Sequence, residues 1–168
     1  TVGYMEQDPQ LQGFDTLGDF AMSGLEPDDY YRVERAAEGL KFQPDRPVAT
    51  ASGGERRCAA LAKLMAEAPE LMLLDEPTNH LDLDASIWLQ TYLSSPRCKS
   101  TLLIVSHDRW FINQLATRVV EIKPDEIRDY HGTYEEYVHF CGDDHLDADT
   151  VVLKARKDKK KSREGAAA

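Results

Sequence analysis

The sequence predicts an α/β fold in which a parallel sheet is flanked by helices. Two short apolar runs, at residues 71–74 and 102–105, each end abruptly in polar residues. Continuous apolar runs of this length are typical of parallel strands that are buried on both faces. Because segments with helical periodicity alternate with these runs, the pattern favours the α/β class over the all-α and all-β classes.

Two segments carry the apolar stripe of an amphipathic helix, with spacing i, i+3, i+4, i+7. The two stripes are Cys58, Leu61, Ala62 and Met65, and Ala85, Trp88, Leu89 and Tyr92. Aromatic residues in such stripes are expected in the core. Residues 14–50, rich in Asp, Glu and Pro, predict a smaller, less regular subdomain with a helix near residues 31–40.

Short polar residues mark the expected helix starts. Asp84 and Asp108 are placed to act as N-caps of the helices that follow. Thr133 and Glu136 have the spacing of a reciprocal capping box. We therefore expect helices to begin at these three points, the last of them after a closing hairpin predicted at residues 118–130.

Charge is distributed unevenly along the chain. The net charge is -10, but residues 151–168 hold seven Lys/Arg and two acidic residues, which gives this tail +5 and leaves -15 elsewhere. The body of the protein is therefore a poor candidate for indiscriminate nucleic-acid binding, whereas the tail is suited to contact polyanions. We expect a domain at 1–141, with a helical subdomain at 14–69, and an acidic linker and basic tail at 142–168.

Cysteine and apolar content exclude several classes of protein. The three cysteines are far apart and form no C-x-x-C pair, so neither a disulfide framework nor a thiolate zinc site is predicted. The acidic, histidine-containing segment at 139–149 fits neither zinc nor EF-hand spacing and is interpreted as a linker. No apolar run approaches the roughly 20 residues needed to span a bilayer, so no membrane segment is expected.

The residues that follow the two apolar runs are candidates for chemistry. Asp75 ends the first strand region and Glu76 follows it, and His107 lies just beyond the second run. Parallel sheets bind ligands beyond the carboxyl ends of their strands. Each residue alone has a structural explanation, as a turn carboxylate or a strand-end histidine, so the argument depends on their combination.

An ordered set of motifs supplies that combination. The set is Gln7, Ser52-Gly53-Gly54-Glu55, the strand ending in Asp75-Glu76, Asn79-His80-Leu81-Asp82, and Ser106-His107-Asp108. In order and spacing it resembles the ATP-binding cassette (ABC) family of P-loop NTPases. The segments at 74–82 (LDEPTNHLD) and 130–137 (YHGTYEEY) are especially similar to the soluble, translation-linked ABC-F branch. Glu55 supports this branch, because transporter cassettes usually have Gln there.

The resemblance implies ATP and Mg²⁺ as cofactors and assigns a role to each motif. Asp75 and Gln7 would serve the metal, with Glu76 as general base and Gln7 and His107 as further catalytic residues. The signature residues Ser52, Gly53, Gly54 and Glu55 would face the γ-phosphate of a nucleotide that a partner cassette holds. Asp82 would communicate between the two cassettes.

The resemblance also implies partners and leaves alternatives. The expected partner is a second cassette, in the same chain or in a homodimer. The ribosome or its RNA is a candidate ligand of the basic tail. The expected location is the cytoplasm. No G-x-x-x-x-G-K-[ST] phosphate loop occurs in the 168 residues, so we expect a cassette truncated before that loop and inactive alone. The alternatives are the nucleotide-binding subunit of a transporter and a non-catalytic interaction module.

Overall fold

The structure, a computed structural model, describes residues 1–5 and 9–141. The chain divides into two compact units, Thr1–Ser106 and His107–Ala168, which are described in turn. The second unit is described as far as Cys141.

A three-stranded parallel sheet forms the centre of the first unit. Its strands are β1 (Val2–Tyr4), β2 (Leu71–Asp75) and β3 (Thr101–Val105), in the order β1-β2-β3. In register, Leu73 of β2 lies beside Tyr4 on one side and Leu103 on the other. Both apolar runs are therefore parallel strands, and the predicted α/β class is confirmed.

The two faces of this sheet differ in burial. On one face Met72 and Leu74 are each 1% exposed. Gly3 lies on the same face, where an added Cβ would meet Leu64 Cδ1 of a helix at 2.4 Å. On the other face the side chains Val2, Tyr4, Leu103 and Val105 are 56–67% exposed. We expected the sheet to be buried on both faces. Within the described part of this unit, helices cover only the face of Met72 and Leu74, so the expectation is confirmed for that face alone.

The described part of the first unit contains the α-helices α1 (Leu17–Met22), α2 (Tyr30–Leu40), α3 (Gly53–Glu67) and α4 (Leu83–Leu93). Three of them meet at a small apolar cluster of Ala21, Val33 and Ala66. The stripe predicted on α3 is buried as expected. On α4, Ala85 and Leu89 are buried, but Trp88 and Tyr92 are only half-buried, so their assignment to the core was wrong.

The start of α4 corrects the sequence prediction. Asp82, not Asp84, is the N-cap, because its Oδ1 accepts a hydrogen bond of 2.8 Å from the Ala85 amide. Both aspartates have the right chemistry for a cap. The choice depends on where the preceding turn ends, and that turn closes with the hydrogen bond from the Leu81 amide to the Thr78 carbonyl.

The second unit contains a helix, a hairpin and a final helix. Asp108 caps α5 (Arg109–Leu115), as predicted, through the Phe111 amide at 2.9 Å. Strands β4 (Arg118–Lys123) and β5 (Glu126–His131) pair antiparallel, as expected of the hairpin. The Thr133–Glu136 capping box is confirmed at the start of α6 (Tyr134–Cys141). Buried residues of this unit include Phe111, Tyr134 and Tyr137.

Within residues 1–5 and 9–141, helices are all too short or too polar to cross a membrane.

Candidate functional site

The carboxyl ends of β2 and β3 bring together the first candidate residues. Asp75 is the last residue of β2, and the amide of Glu76 donates to the Val105 carbonyl at 2.8 Å, which extends the pairing with β3 by one residue. The Ser106 hydroxyl donates to Glu76 Oε2 at 3.3 Å. The structure therefore places Asp75, Glu76 and Ser106 at one edge of the sheet, where α/β proteins bind ligands.

The backbone of Glu76 is unusual for a residue with a side chain. Its φ is 47°, in the left-handed region, although it precedes a proline. Residues before proline ordinarily adopt extended conformations, and the left-handed region costs a non-glycine residue about 1 kcal/mol or more. The hydrogen bonds to Val105 and from the Asn79 amide to the Glu76 carbonyl hold this conformation. Such strained positions are concentrated at active sites and ligand clamps.

The start of α3 is a second polar feature of the first unit. Ser52 is its N-cap and forms a capping box with Glu55: the Glu55 amide donates to Ser52 Oγ at 3.2 Å, and the Ser52 amide donates to Glu55 Oε2 at 2.8 Å. The Ser52 backbone amide, followed by its hydroxyl, lowers the pKa of Glu55. Glu55 is therefore an ionised structural residue of the cap.

The next two residues, Gly53 and Gly54, leave their amides available. Neither amide has a hydrogen-bond partner among the described residues. A Cβ added at Gly53 would have no heavy atom within 4 Å, and one at Gly54 would lie 3.6 Å from His80 Cβ. The helix start therefore lies beside the turn that follows Glu76. Free amides at a helix N-terminus favour a bound anion, since the helix dipole adds positive potential there.

Asp82 takes part in an ion-pair cluster that the sequence did not reveal. Lys41 Nζ lies 2.9 Å from Asp82 Oδ2 and 2.8 Å from an Asp84 carboxylate oxygen. The pKa of Asp82 is lowered, mainly by the Ala85 amide and then by Lys41. The pKa of Lys41 is raised, first by Asp84 and then by Asp82. No motif marks Lys41, because it lies 41 residues away from Asp82 and reaches it only through the packing of α2 beside α4.

Two further candidates, His107 and Gln7, lie outside the described part of the first unit. His107 is the first residue of the second unit; its side chain is exposed, and the Asp108 cap of α5 follows it. Gln7 lies outside the described residues. The linker and the tail at 142–168 also lie outside them.

These residues fit part of a magnesium nucleotide site. Asp75 and Glu76 provide carboxylate oxygens, which Mg²⁺ prefers, and the free amides of Gly53 and Gly54 suit a phosphate. Within the described ranges, no group of three or more His, Cys, Asp or Glu side chains forms a self-contained metal cluster.

Comparisons with known proteins agree with the motif order. The sequence model of the family described as "ABC transporter" matches residues 1–79. The energy-dependent translational throttle protein EttA of Mycobacterium tuberculosis is 38% identical over 130 residues, which are 77% of this chain and 22% of EttA. The ATP-binding protein Uup of Caulobacter vibrioides is 40% identical over 136 residues, 81% of this chain and 22% of Uup. These matches support an ABC-F type ATPase domain in this chain.

Similarity to solved structures supports the ABC fold. The structure of an ATP binding subunit of an ABC transporter has a TM-score of 0.69 and 19% identity, and the match covers 84% of this chain and 62% of that one. At this identity the likeness concerns the fold alone. The present ABC-F chain spans about a fifth of the length of the curated relatives named above.

Proposed function

We propose that this chain forms part of an ATPase in which two cassettes enclose ATP between them. The observation that carries the proposal is the free N-terminus of α3, where the Gly53 and Gly54 amides have no partner in the described structure and lie beside the turn that follows Glu76. The unit thus presents amides for the phosphate of a nucleotide that a partner holds and carboxylates for the nucleotide of its own cassette, as two paired cassettes require.

In this proposal each residue of the site has a distinct task. Asp75 holds Mg²⁺, which supplies charge neutralisation of the phosphate oxygens when bound. Glu76 accepts a proton from the attacking water, and the Ser106 hydroxyl orients its carboxylate. Gly53, Gly54 and the Ser52 hydroxyl contact the γ-phosphate of a nucleotide held by the partner cassette. His107 contacts the γ-phosphate and Gln7 contacts the metal. Asp82 communicates with the partner cassette.

We also propose a link to translation in the cytoplasm. It is supported by the name of the relative EttA, a translational throttle protein. The basic tail, with its charge of +5, would add phosphate contacts that weaken as salt rises. Co-sedimentation with ribosomes tests this part of the proposal independently of hydrolysis.

A substitution at Gly53 tests the composite site without disturbing the fold. The experiment uses a chimera in which this segment replaces the matching region of the Escherichia coli EttA, with the other composite site of the host inactivated. Gly53→Asp has room for its side chain and places a carboxylate where the γ-phosphate is expected. We expect ATP hydrolysis to fall by about tenfold or more, since like-charge repulsion opposes phosphate binding.

Gly53→Asn is the matched control, because it has the same shape without the charge. It should retain most of the activity. Thermal denaturation should show no loss of stability for Gly53→Asp, since acidic residues in the first turn of a helix are favourable. Equal hydrolysis by the Gly53→Asp and unsubstituted chimeras would refute the proposed role of this helix start.

A further inference from the structure

A second site lies at the opposite end of the sheet from Asp75 and Glu76. A pocket of about 550 Å³ opens between α2, the C-terminal end of α3, α4 and the connection that leads from α4 into β3. Ala68, before β2, and Lys99, before β3, contribute to its lining. The pocket therefore adjoins the amino-terminal ends of the strands, and it is independent of the proposed ATP site.

The pocket is basic in an acidic protein. Four of its lining residues are cationic, namely Arg32, Arg35, Arg97 and Lys99. Arg32 pairs with Asp29 at 3.0 Å and donates to the Ala66 carbonyl at 3.2 Å. The other three are exposed and form no ion pair with any residue of the described structure. Three unpaired cations at the opening of this pocket favour an anionic ligand, even though the chain as a whole has a net charge of -10.

Aromatic rings line the same pocket. Trp88 and Tyr92 stack on α4 with ring centroids 5.7 Å apart and an interplanar angle of 16°. The Tyr92 hydroxyl donates to the Met65 carbonyl at 3.5 Å, and Tyr31 at the mouth is 58% exposed. The Trp88 indole lies directly against α2, because an added Cβ at Gly39 would meet its Cε2 at 2.0 Å. The Trp88 ring is therefore covered by Gly39 on one face and by Tyr92 on the other, and Tyr31 is the most exposed ring of the pocket.

We propose that this pocket binds a nucleotide of a single-stranded nucleic acid. The base would stack on Tyr31 at the mouth, beside the edges of Trp88 and Tyr92, while Arg35, Arg97 and Lys99 contact the phosphates. Base stacking on aromatic side chains beside a cationic groove is the general mode of single-strand binding. The volume lies within the range of small-ligand pockets and accommodates about one nucleotide.

The surroundings favour a strand over other anions. An acidic peptide would use the cations but not the stacked rings. The free cations come from two elements, Arg35 from α2 and the other two from the connection before β3, which suits successive phosphates rather than a single one. The neighbouring recess beside Trp88 is lined by Glu38 and Asp84 together with Arg35 and Lys41, so its charges balance and the excess of cations belongs to the first pocket.

Trp88 provides a direct reporter of binding. The chain contains two tryptophans, so Trp110→Phe leaves Trp88 as the only one. In this background we expect an eight-nucleotide single-stranded RNA to quench the Trp88 fluorescence saturably. The triple variant Arg35→Gln, Arg97→Gln, Lys99→Gln should bind the RNA about tenfold more weakly or worse, with a smaller dependence of affinity on salt. Tyr31→Leu should weaken binding without changing that salt dependence.

A matched control separates the pocket from the tail. Lys159→Gln, Lys160→Gln, Lys161→Gln removes the same charge from the tail and should leave the quenching of Trp88 intact. Thermal denaturation checks that every variant is folded. The proposal is overturned if the tail variant abolishes quenching while the pocket variant does not. It is also overturned if AMP quenches Trp88 at the same concentrations as the RNA, or if polyglutamate displaces the RNA as effectively as unlabelled RNA does.

Discussion

Lys41 forms ion pairs with the N-cap of α4, a residue that is also a candidate for communication between cassettes. It bridges Asp82 and Asp84 at the start of α4, and Asp82 also caps that helix. Asp82 is a candidate for communication between cassettes. Because it caps α4 and pairs with Lys41, its carboxylate also has a structural role when no partner is bound. Any signal that reaches Asp82 from a partner must therefore compete with Lys41 and the Ala85 amide.

The titration of Asp82 tests this arrangement. Its pKa is lowered from 3.8 by the Ala85 amide and by Lys41. A carboxylate with a lowered pKa stabilises the fold above its ordinary pKa and loses that contribution as the pH falls through the lowered value. We expect Lys41→Met to raise the pKa of Asp82 part of the way back, since the Ala85 bond remains. Carboxyl ¹³C NMR measures it, and an unchanged pKa would show that Lys41 does not interact with Asp82 in solution.

The position of a single residue can be predicted where a local sequence pattern determines it, but not where it depends on packing. Asp75 and Glu76 could be placed at the strand end because the apolar run before them ends abruptly. The left-handed backbone of Glu76 had no sequence signal, and the pattern chose Asp84 over Asp82 as the cap. Both depend on the turn between β2 and α4, which is held by two local hydrogen bonds and by the distant contact of the Glu76 amide with Val105.

At the scale of elements, the contact between α2 and α4 depends on one glycine. Gly→Ala within a helix ordinarily stabilises it by roughly 0.5–1 kcal/mol. At Gly39 the new Cβ would lie 2.0 Å from the Trp88 ring, so we expect Gly39→Ala to destabilise the protein by about 1–3 kcal/mol through overpacking. Thermal denaturation measures the change. In a Trp88→Leu background the same substitution should become neutral or stabilising, and destabilisation of equal size in both backgrounds would contradict the contact.

The elements themselves were largely predictable. The parallel strands, α3, the hairpin and the capping box of α6 follow from apolar periodicity and from local capping and turn chemistry. Periodicity also identified the stripe on α4 but could not show that Trp88 and Tyr92 line a pocket. A residue that faces a neighbouring helix and a residue that faces a cavity between helices occupy the same positions of the repeat.

At the scale of the whole molecule, the order of motifs carried more information than any one motif. Ser-Gly-Gly, Asp-Glu or a strand-end histidine occurs in many unrelated proteins. Their sequence along the chain led to the ABC-F assignment, and the relatives agree with it. The chain contributes the carboxylates Asp75 and Glu76 and the glycine-rich start of α3, and no phosphate-loop motif occurs within its 168 residues.

The most direct test is the rate of ATP hydrolysis by a second EttA chimera, in which the composite site that contains Glu76 is kept and the other site is inactivated, with Glu76→Gln introduced. Loss of a general base lowers rates by about 10²- to 10⁴-fold, so we expect at least a hundredfold loss of hydrolysis with ATP binding retained. Glu67→Gln removes an exposed carboxylate from the end of α3 and serves as the charge-matched control, with full activity expected. Hydrolysis by the Glu76→Gln chimera at the unsubstituted rate would contradict the account.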